Sequence, residues 1–357
     1  MDDTTALLKQ LTEAHGVSGY EGEVREILRG LLEPLGELSS DQVGSVICRL
    51  EGQAGGPRVM LAGHMDEIGF MVKHVGKEGV IRFLPLGGWW DQVLLGQRVV
   101  VKTRKGDVIG IIGAKPPHLL PADERKKVVA RKDMYIDVGA GSVEEVEEAG
   151  VRPGDPVIPV GDFVEMAVSD TYLAKALDDR VGCAVVVQAM QALQEGHLPN
   201  VVYGVATVME EVGLRGATTS VEVVKPDVAL ILEVDIAGDV PGIKPEQSSV
   251  RLGEGPSMLL FDARMIPNLK LRDLVMDTAA ELGIPLQTSA LEVGGTDGGA
   301  IHLHNIGVPT VVIAVPTRHI HSHGAIMRRG DYDQAVRLVE AVVRKLDADT
   351  VSGLSPF

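Results

Sequence analysis

The stretch Arg58-Val-Met-Leu-Ala-Gly-His-Met-Asp66 decides the architecture. Its apolar run from Val59 to Ala62 is unbroken, as in a strand covered on both faces, and such strands belong to parallel sheets between helical layers. A histidine and an aspartate, His64 and Asp66, follow at once. In open α/β sheets ligands bind beyond the carboxyl ends of the strands, so this ending reads as one wall of a site.

The same rhythm recurs toward the C-terminus. Residues 201–209, 227–234 and 309–316 read as apolar strands, and residues 180–194, 269–282 and 332–346 as helices. Such alternation predicts an α/β fold with a mainly parallel sheet flanked by helices. Toward the N-terminus, Leu7, Leu8, Leu11 and Ala14, then Val24, Ile27, Leu28, Leu31, Leu32 and Leu35, recur at helical spacing and predict two opening helices, with a strand over 43–50 after them.

From about Ile68 to Val160 the texture changes to short β-rich runs separated by turns such as Gly76-Lys-Glu-Gly79 and Arg104-Lys-Gly-Asp107, the pattern of a small barrel or sandwich. Ser142-Val-Glu-Glu145 is a capping box for one short helix, and the basic, proline-containing stretch 116–132 reads as a surface loop. The β-rich block is therefore an insertion: residues 1–67 and 161–357 make one discontinuous domain, and 68–160 a second.

Composition bounds the rest. In 357 residues, 34 Lys plus Arg stand against 50 Asp plus Glu, a net charge of -16 that excludes a nucleic-acid binder driven by phosphate contacts. A hydrophobic fraction of 45% with 24% charged residues is that of a globular chain, and because only 3% of residues are aromatic its cores must come from Val, Ile, Leu, Ala and Met. The longest apolar runs fall far short of the roughly 18 residues of a membrane helix. Met1-Asp2-Asp3-Thr4 is acidic and runs straight into an amphipathic pattern, unlike a secretory or transit peptide, so the chain is read as cytoplasmic. Cys48 and Cys183 sit in apolar contexts without CxxC spacing, which makes them small buried hydrophobes rather than a disulfide or a thiolate metal site.

His64 and Asp66 follow the first apolar strand, Glu210 and Glu211 the second, Glu233 and Asp235 the third, and His321 the last, while Asp178 and Asp179 precede a helix on the same rim. Each has a bland reading. His64 and Asp66 could be a hydrogen-bonded pair, Glu210 and Glu211 a solvated pair, and Asp178-Asp179 a helix cap with an acidic first turn. Glu233 is harder to dismiss, because an unpaired carboxylate beside a buried strand is costly. Jointly the bland readings fail: five segments send an acid or imidazole to one edge, and together they form the nitrogen and oxygen ligand set of Zn2+, Co2+ or Mn2+. The cluster His319-Ile-His321-Ser-His323 also suggests metal, although all three histidines cannot serve one site.

Ala62-Gly-His-Met-Asp-Glu-Ile-Gly69, Lys175-Ala-Leu-Asp-Asp-Arg180, Met209-Glu-Glu-Val-Gly213, Ile236-Ala-Gly-Asp-Val-Pro-Gly242, Gly294-Gly-Thr-Asp297 and Ile320-His-Ser322 resemble, in the same order, the signature blocks of the tetrahedral aminopeptidases, metallopeptidase family 42, some members of which carry the name endoglucanase. The resemblance covers essentially the whole chain. It implies a zinc-peptidase-like catalytic domain with two divalent metal ions bridged by Asp178, one completed by His64 and Glu233 and the other by Glu211 and His321. It further implies Glu210 as general base, Asp66 as the residue that orients His64, peptides as substrates, an insertion that serves dimerisation, and a homo-oligomeric shell of twelve subunits. Glu233 stands where Asp is usual, with Asp235 two residues on, and His319 replaces a frequent Tyr. On this reading Glu210 and Glu211 diverge in role, which requires the strand to end at Met209 because neighbours on a regular strand face opposite ways.

Four other readings stay open on the residues alone. A carboxypeptidase or an N-acyl amino-acid deacylase would use the same dinuclear chemistry. A glycosidase needs two carboxyls about 5 to 9.5 Å apart and leaves His64 and His321 without a role. A non-catalytic scaffold would not need a base beside a full ligand set. Thr296 and Asp297 are expected to cap a helix near the site.

Overall fold

Four parallel strands occupy the centre of the computed structural model, which describes residues 1–355, in the spatial order Val201–Thr207, Arg58–His64, Val228–Ile236 and Thr310–Arg318. Ala62 pairs with Val205 on one side and Ile231 on the other, so the strand that opened the sequence reading lies in the middle. Among the described residues these strands belong to an 11-stranded sheet. Its margins are antiparallel: Val46–Leu50 and Glu37–Ser40 on one flank, Ala325–Arg328, Thr171–Ala174 and Val164–Glu165 on the other.

Alternate residues of the central strands feed two cores. Val59, Leu61, Leu230, Val311 and Ile313 pack with helices Asp3–Glu13, Gly22–Leu32, Leu177–Leu193, Leu269–Leu282 and Arg329–Lys345. Met60, Ala62, Ile231 and Val312 pack on the opposite face with Arg215–Val224 and Gly298–Ile301. Burial on both faces is why these strands read as continuous apolar runs. The sequence reading misses the helix Arg215–Val224 because Thr218, Thr219, Val221, Val223 and Val224 favour strands; its buried Gly216, Ala217, Ser220, Val221 and Val224 supply the helical stripe that overrides them.

One close approach fixes where the site lies. A Cβ on Gly63 would stand 2.7 Å from the Gly182 carbonyl carbon, and one on Gly182 would stand 2.3 Å from the Leu232 carbonyl oxygen. Only glycines let the first turns of Leu177–Leu193 press onto the sheet there, which carries Asp178 to the strand ends. Asp178 and Asp179 lie outside helical geometry, joined by a cis peptide, so regular helix begins at Arg180 as the sequence predicts.

Within the inserted stretch, Gly69–Val75, Ile81–Leu86, Tyr135–Asp137, Gly106–Gly113, Arg98–Thr103 and Pro156–Pro159 close a six-stranded barrel in that order. Phe70, Phe83, Trp89, Val99, Ile112 and Val157 fill it, with Trp89 stacked on Phe70 at 4.7 Å between ring centroids. The tryptophan pair divides: the Trp89 indole donates to the Gly69 carbonyl at 3.0 Å inside, while Trp90 is 62% exposed. Ser142 caps Val143–Glu148 by accepting from the Glu145 amide, and the Glu145 carboxylate reaches back to the Gly141 amide, one residue beyond the position a strict capping box uses. Residues 116–132 form a mostly exposed segment of single 3-10 turns. Cys48 and Cys183 are free and buried, and no helix among the described residues is long and apolar enough to cross a membrane.

Candidate active site

His64 closes its strand with its ring held from behind. Its Nδ1 lies 2.9 Å from the Asp66 carbonyl oxygen and 3.4 Å from Asp66 Oδ1, leaving Nε2 to face 3.1 Å to Asp178 Oδ1, 3.8 Å to Glu233 Oε1 and 3.9 Å to Glu210 Oε2. His321 follows the last central strand. Its Nδ1 donates to the Gly88 carbonyl at 2.6 Å, and Nε2 lies 3.2 Å from Asp178 Oδ2 and 3.5 Å from Glu211 Oε1. Asp178 thus presents one oxygen to each imidazole. Three overlapping groups result, His64 with Asp178 and Glu233, Asp178 with Glu211 and His321, and His64 with Glu210 and Glu211, each with its candidate ligand atoms within 4.8 Å of one another.

Asp66 organises this cluster from beneath. Its Oδ1 accepts from the Glu210 amide at 2.9 Å, and its Oδ2 accepts from Ser18 Oγ at 2.6 Å and from the Glu211 amide at 3.2 Å. The second strand stops at Thr207, two residues earlier than its apolar run suggests, and Met209 adopts φ 54°. Gly213 and Leu214 amides then donate back to the Glu210 carbonyl, forming the turn that frees Glu210 and Glu211 from strand alternation. Ala176, Leu214 and His321 also sit at positive φ, so backbone strain collects where the chain enters and leaves the site.

Several residues support the site without joining the three groups. Asp179 accepts from the His64 amide at 3.0 Å and the Gly182 amide at 2.9 Å, tying strand to helix. Glu21, far upstream, accepts from the Gly19 amide and the Met209 amide at 2.7 and 3.0 Å and so holds the strained residue before Glu210. Beneath them Arg180 is fully buried and donates to the carbonyls of Met65 and Leu11 at 2.6 Å each and of Gly16 at 3.0 Å, while Lys175 pairs with Glu67 at 2.7 Å. The visible signal is a pair of cations, Lys175 and Arg180, bracketing Ala176-Leu-Asp-Asp179 at a helix start.

Other candidates lie elsewhere. Asp235 accepts from Ser257 Oγ and Ser289 Oγ at 2.7 and 2.6 Å and joins none of the three groups. His323 packs beside Trp89, 5.1 Å between centroids, and His319 is exposed; neither joins them. Thr296 Oγ1 donates to Asp262 Oδ2, and Asp297 accepts from Thr207 Oγ1, so the expected side-chain capping is absent and Gly298–Ile301 is capped by main chain.

The electrostatics point to missing positive charge. Among the described residues, the ion-pair partners of Asp178, Glu210, Glu211 and Glu233 are His64 and His321, with no Lys or Arg among them. Burial, then the neighbouring Asp178, pushes Glu211 up to about 7; burial likewise raises Glu210, and burial followed by Asp179 raises Glu233. Burial disfavours charge on His321, yet the hydrogen bond to Asp178 and the charge of Glu211 carry it up to about 10. His64 is raised for the same reason, burial being outweighed by Asp178 and Asp66. A cluster that draws protons onto both imidazoles fits divalent cations, which would supply that charge directly. The donors open onto a cavity of about 660 Å³ also lined by Leu259, Arg264, Leu291, Val293 and Gly294.

Comparison with known proteins bears on this arrangement. The M42 glutamyl aminopeptidase family matches residues 44–338, and a second family, AMPT, matches residues 2–28. The chain is 42% identical to the putative aminopeptidase FrvX of Escherichia coli over 98% of each. It is 34% identical to a glutamyl aminopeptidase of Lactococcus lactis, over 98% of each, and 34% identical to a lysyl aminopeptidase of Pyrococcus furiosus, over 95% of this chain and 96% of that one. Among solved structures, a TET aminopeptidase from a marine sediment Thaumarchaeota archaeon superimposes with a TM-score of 0.97 at 50% identity, covering 99% of both chains. One chain of PhTET1-12s, a dodecamer in the asymmetric unit, superimposes with a TM-score of 0.86 at 32% identity, covering 97% of this chain and 100% of that one.

Proposed function

This chain belongs to the M42 glutamyl aminopeptidase family and is an aminopeptidase, and on that premise we propose that it removes N-terminal residues from peptides at a dinuclear centre with Glu210 as general base. The observation that carries the reading is Asp178, whose two oxygens face His64 and His321 at 3.1 and 3.2 Å. His64, Asp178 and Glu233 would hold one divalent ion, and Asp178, Glu211 and His321 the other. When bound, such ions, Zn2+, Co2+ or Mn2+, polarise a scissile carbonyl and acidify water.

Glu210 does the proton work. Its amide is anchored on Asp66, its carboxylate faces the centre, and burial keeps its proton affinity above the ordinary carboxylate range, so it can take a proton from water and pass it to the leaving amine. Asp66 holds His64 and both glutamate amides in register.

The division of labour proposed for the rest of the chain is a catalytic unit of residues 1–67 and 161–357 with a dimerisation unit of 68–160, assembling from dimers to a dodecamer. The barrel leaves Trp90, Ile109 and Ile111 exposed, apolar anchors of the kind that partners cover; the similar PhTET1-12s is a dodecamer in its asymmetric unit, and Pyrococcus horikoshii TET1 can assemble into a tetrahedron or a large octahedral shell. A cytoplasmic setting suits two unpaired thiols. The test is metal analysis of protein purified without chelator, beside assays on an aminoacyl anilide and its N-blocked counterpart. About two ions per chain and cleavage of the free-amine substrate alone are expected. Full activity without metal, or preference for the blocked substrate, would overturn the reading.

A further inference from the structure

Each of the two imidazoles of the centre turns its Nδ1 to a main-chain carbonyl, His64 to Asp66 at 2.9 Å and His321 to Gly88 at 2.6 Å. The two supports come from different places. Asp66 is two residues from the histidine that it holds, whereas Gly88 lies in the inserted stretch, just past the barrel strand Ile81–Leu86 and 233 residues from His321. His321 also has less around it. The His64 side chain is 2% exposed and that of His321 37%, and His321 sits at φ 57° on the loop after the last central strand. Apart from Asp178 and Glu211, the Gly88 carbonyl is the one polar group on the His321 ring among the described residues.

The loop that carries Gly88 is shaped for close approach. Gly87 has φ 87°, and a Cβ on it would stand 2.5 Å from Ile68 Cγ2 and 3.0 Å from Glu211 Oε2, while one on Gly88 would stand 3.1 Å from His321 Nδ1. A side chain at either position would press on a candidate ligand. The next residue anchors the loop. Trp89 is buried, its indole donates to the Gly69 carbonyl at 3.0 Å, and its ring stacks on Phe70 at 4.7 Å between centroids, 21° from parallel. His323, two residues past His321, packs against the same indole at 5.1 Å, and neither of its ring nitrogens has a hydrogen-bond partner among the described residues. His323 therefore serves as a ring and not as a ligand. It seats the loop of the last central strand on the barrel.

We propose that Trp89 is a positioning residue of the inserted barrel: through the Gly88 carbonyl and the His323 ring it holds His321 for the ion assigned to Asp178, Glu211 and His321, so that this second site is completed by the insertion. The proposal deepens the dinuclear reading and rests on it. A carbonyl that accepts from Nδ1 fixes the tautomer in which the Nε2 lone pair faces Asp178 and Glu211, and it sets the direction of the ring. An indole held by both a stack and a hydrogen bond has little freedom left, and the carbonyl of the residue before it shares that restraint. His64 is held instead by Asp66 and, through its amide, by Asp179. The barrel therefore acts on one ion and not on both.

The experiment follows the partition of Zn2+ between the intact, fully loaded protein and a rising concentration of chromogenic chelator, for wild type, Trp89→Phe, Trp89→Leu and Gly88→Ala. Two ions should leave in two steps, and the step missing from His321→Ala identifies the second ion. Trp89→Leu loses the stack and the indole N–H together, and should weaken that ion by roughly 10- to 100-fold, the range usual when the group behind a metal-binding histidine is removed. Trp89→Phe keeps a ring to stack and should fall between Trp89→Leu and wild type. Gly88→Ala adds its carbon against His321 without entering the barrel core, and should weaken the same ion. The first ion is the internal control, since a general loss of folding would move both. An unchanged second ion in Trp89→Leu or in Gly88→Ala, or equal weakening of both ions, would overturn the proposal while leaving the dinuclear reading standing. Fewer than two ions on the loaded wild type would remove that reading and the proposal with it.

Discussion

Asp66→Asn keeps the size of a fully buried side chain, yet it should weaken the centre measurably. Both carboxylate oxygens of Asp66 accept main-chain amides, Glu210 at 2.9 Å on one and Glu211 at 3.2 Å on the other, with Ser18 also on the second. An amide has one accepting oxygen. If it faces the Glu210 amide, the new NH2 group meets the Glu211 amide; turned the other way, it meets the Glu210 amide. Either way one buried amide beside a candidate ligand loses its acceptor, at about 1 to 3 kcal/mol. His64 Nδ1 also loses the carboxylate 3.4 Å away. That range agrees with the roughly 10- to 100-fold loss of metal affinity usual when the group behind a metal-binding histidine is removed. Titration of metal-stripped protein with Zn2+ against a chromogenic chelator should show that loss, and turnover should recover as metal is raised. Wild-type affinity together with wild-type turnover in Asp66→Asn would refute the role assigned to this residue.

Other expectations follow from neighbouring contacts. Glu210→Gln should lower turnover by about 10²- to 10⁴-fold with metal content intact, by metal analysis beside kinetics; loss of a metal equivalent would mean that Glu210 and Glu211 exchange roles. Arg180→Met takes a donor from four carbonyls, those of Met65, Leu11, Ala14 and Gly16, and leaves Glu67, 3.5 Å away, with Lys175 alone, so thermal or urea unfolding should report a loss of about 3 to 5 kcal/mol, and an unchanged midpoint would contradict it. Burial, then the charge of Asp66, pushes Glu21 up to about 7 from 4.5. The folded state therefore keeps that proton after the unfolded state has released it, and stability falls as pH rises from about 4.5 through about 7, by up to roughly 3 kcal/mol. Glu21→Gln, which cannot ionise, should flatten that decline; parallel pH profiles of the unfolding midpoint for the two proteins would count against it.

How much of this was legible in the sequence depends on what each residue packs against. The four central strands declare themselves because burial on both faces demands unbroken apolar runs, and the polar residues at their ends stand out for the same reason. Glu233 and Asp235 do not separate on the sequence: two apart on one strand, they face the same way, and only the hydroxyls of Ser257 and Ser289 draw Asp235 aside. Trp89 and Trp90 are adjacent yet have opposite fates, set by the Gly69 carbonyl and the Phe70 ring inside the barrel. The edge strand Glu37–Ser40 is largely exposed and carries no core signal. Glu21 and Arg180 act through main-chain partners distant in sequence, and no local pattern announces such partners.

The parallel centre of the sheet also sets an order of assembly. Arg58–His64 acquires its neighbours only from Val201–Thr207 and Val228–Ile236, with the whole barrel and the long helix intervening. Those pairings require distant segments to meet before any contact rewards them, whereas the barrel is built from strands between Gly69 and Pro159 and can close on its own schedule. A growing chain that closed the barrel first would carry it on an open sheet strand, Val59 to Ala62, whose two edges wait for synthesis to reach Ile236. During that interval the strand is a template for pairing with another unfinished chain. Refolding from denaturant should accordingly lose yield as protein concentration rises, at concentrations where the finished molecule, its central edges paired on both sides, is untroubled.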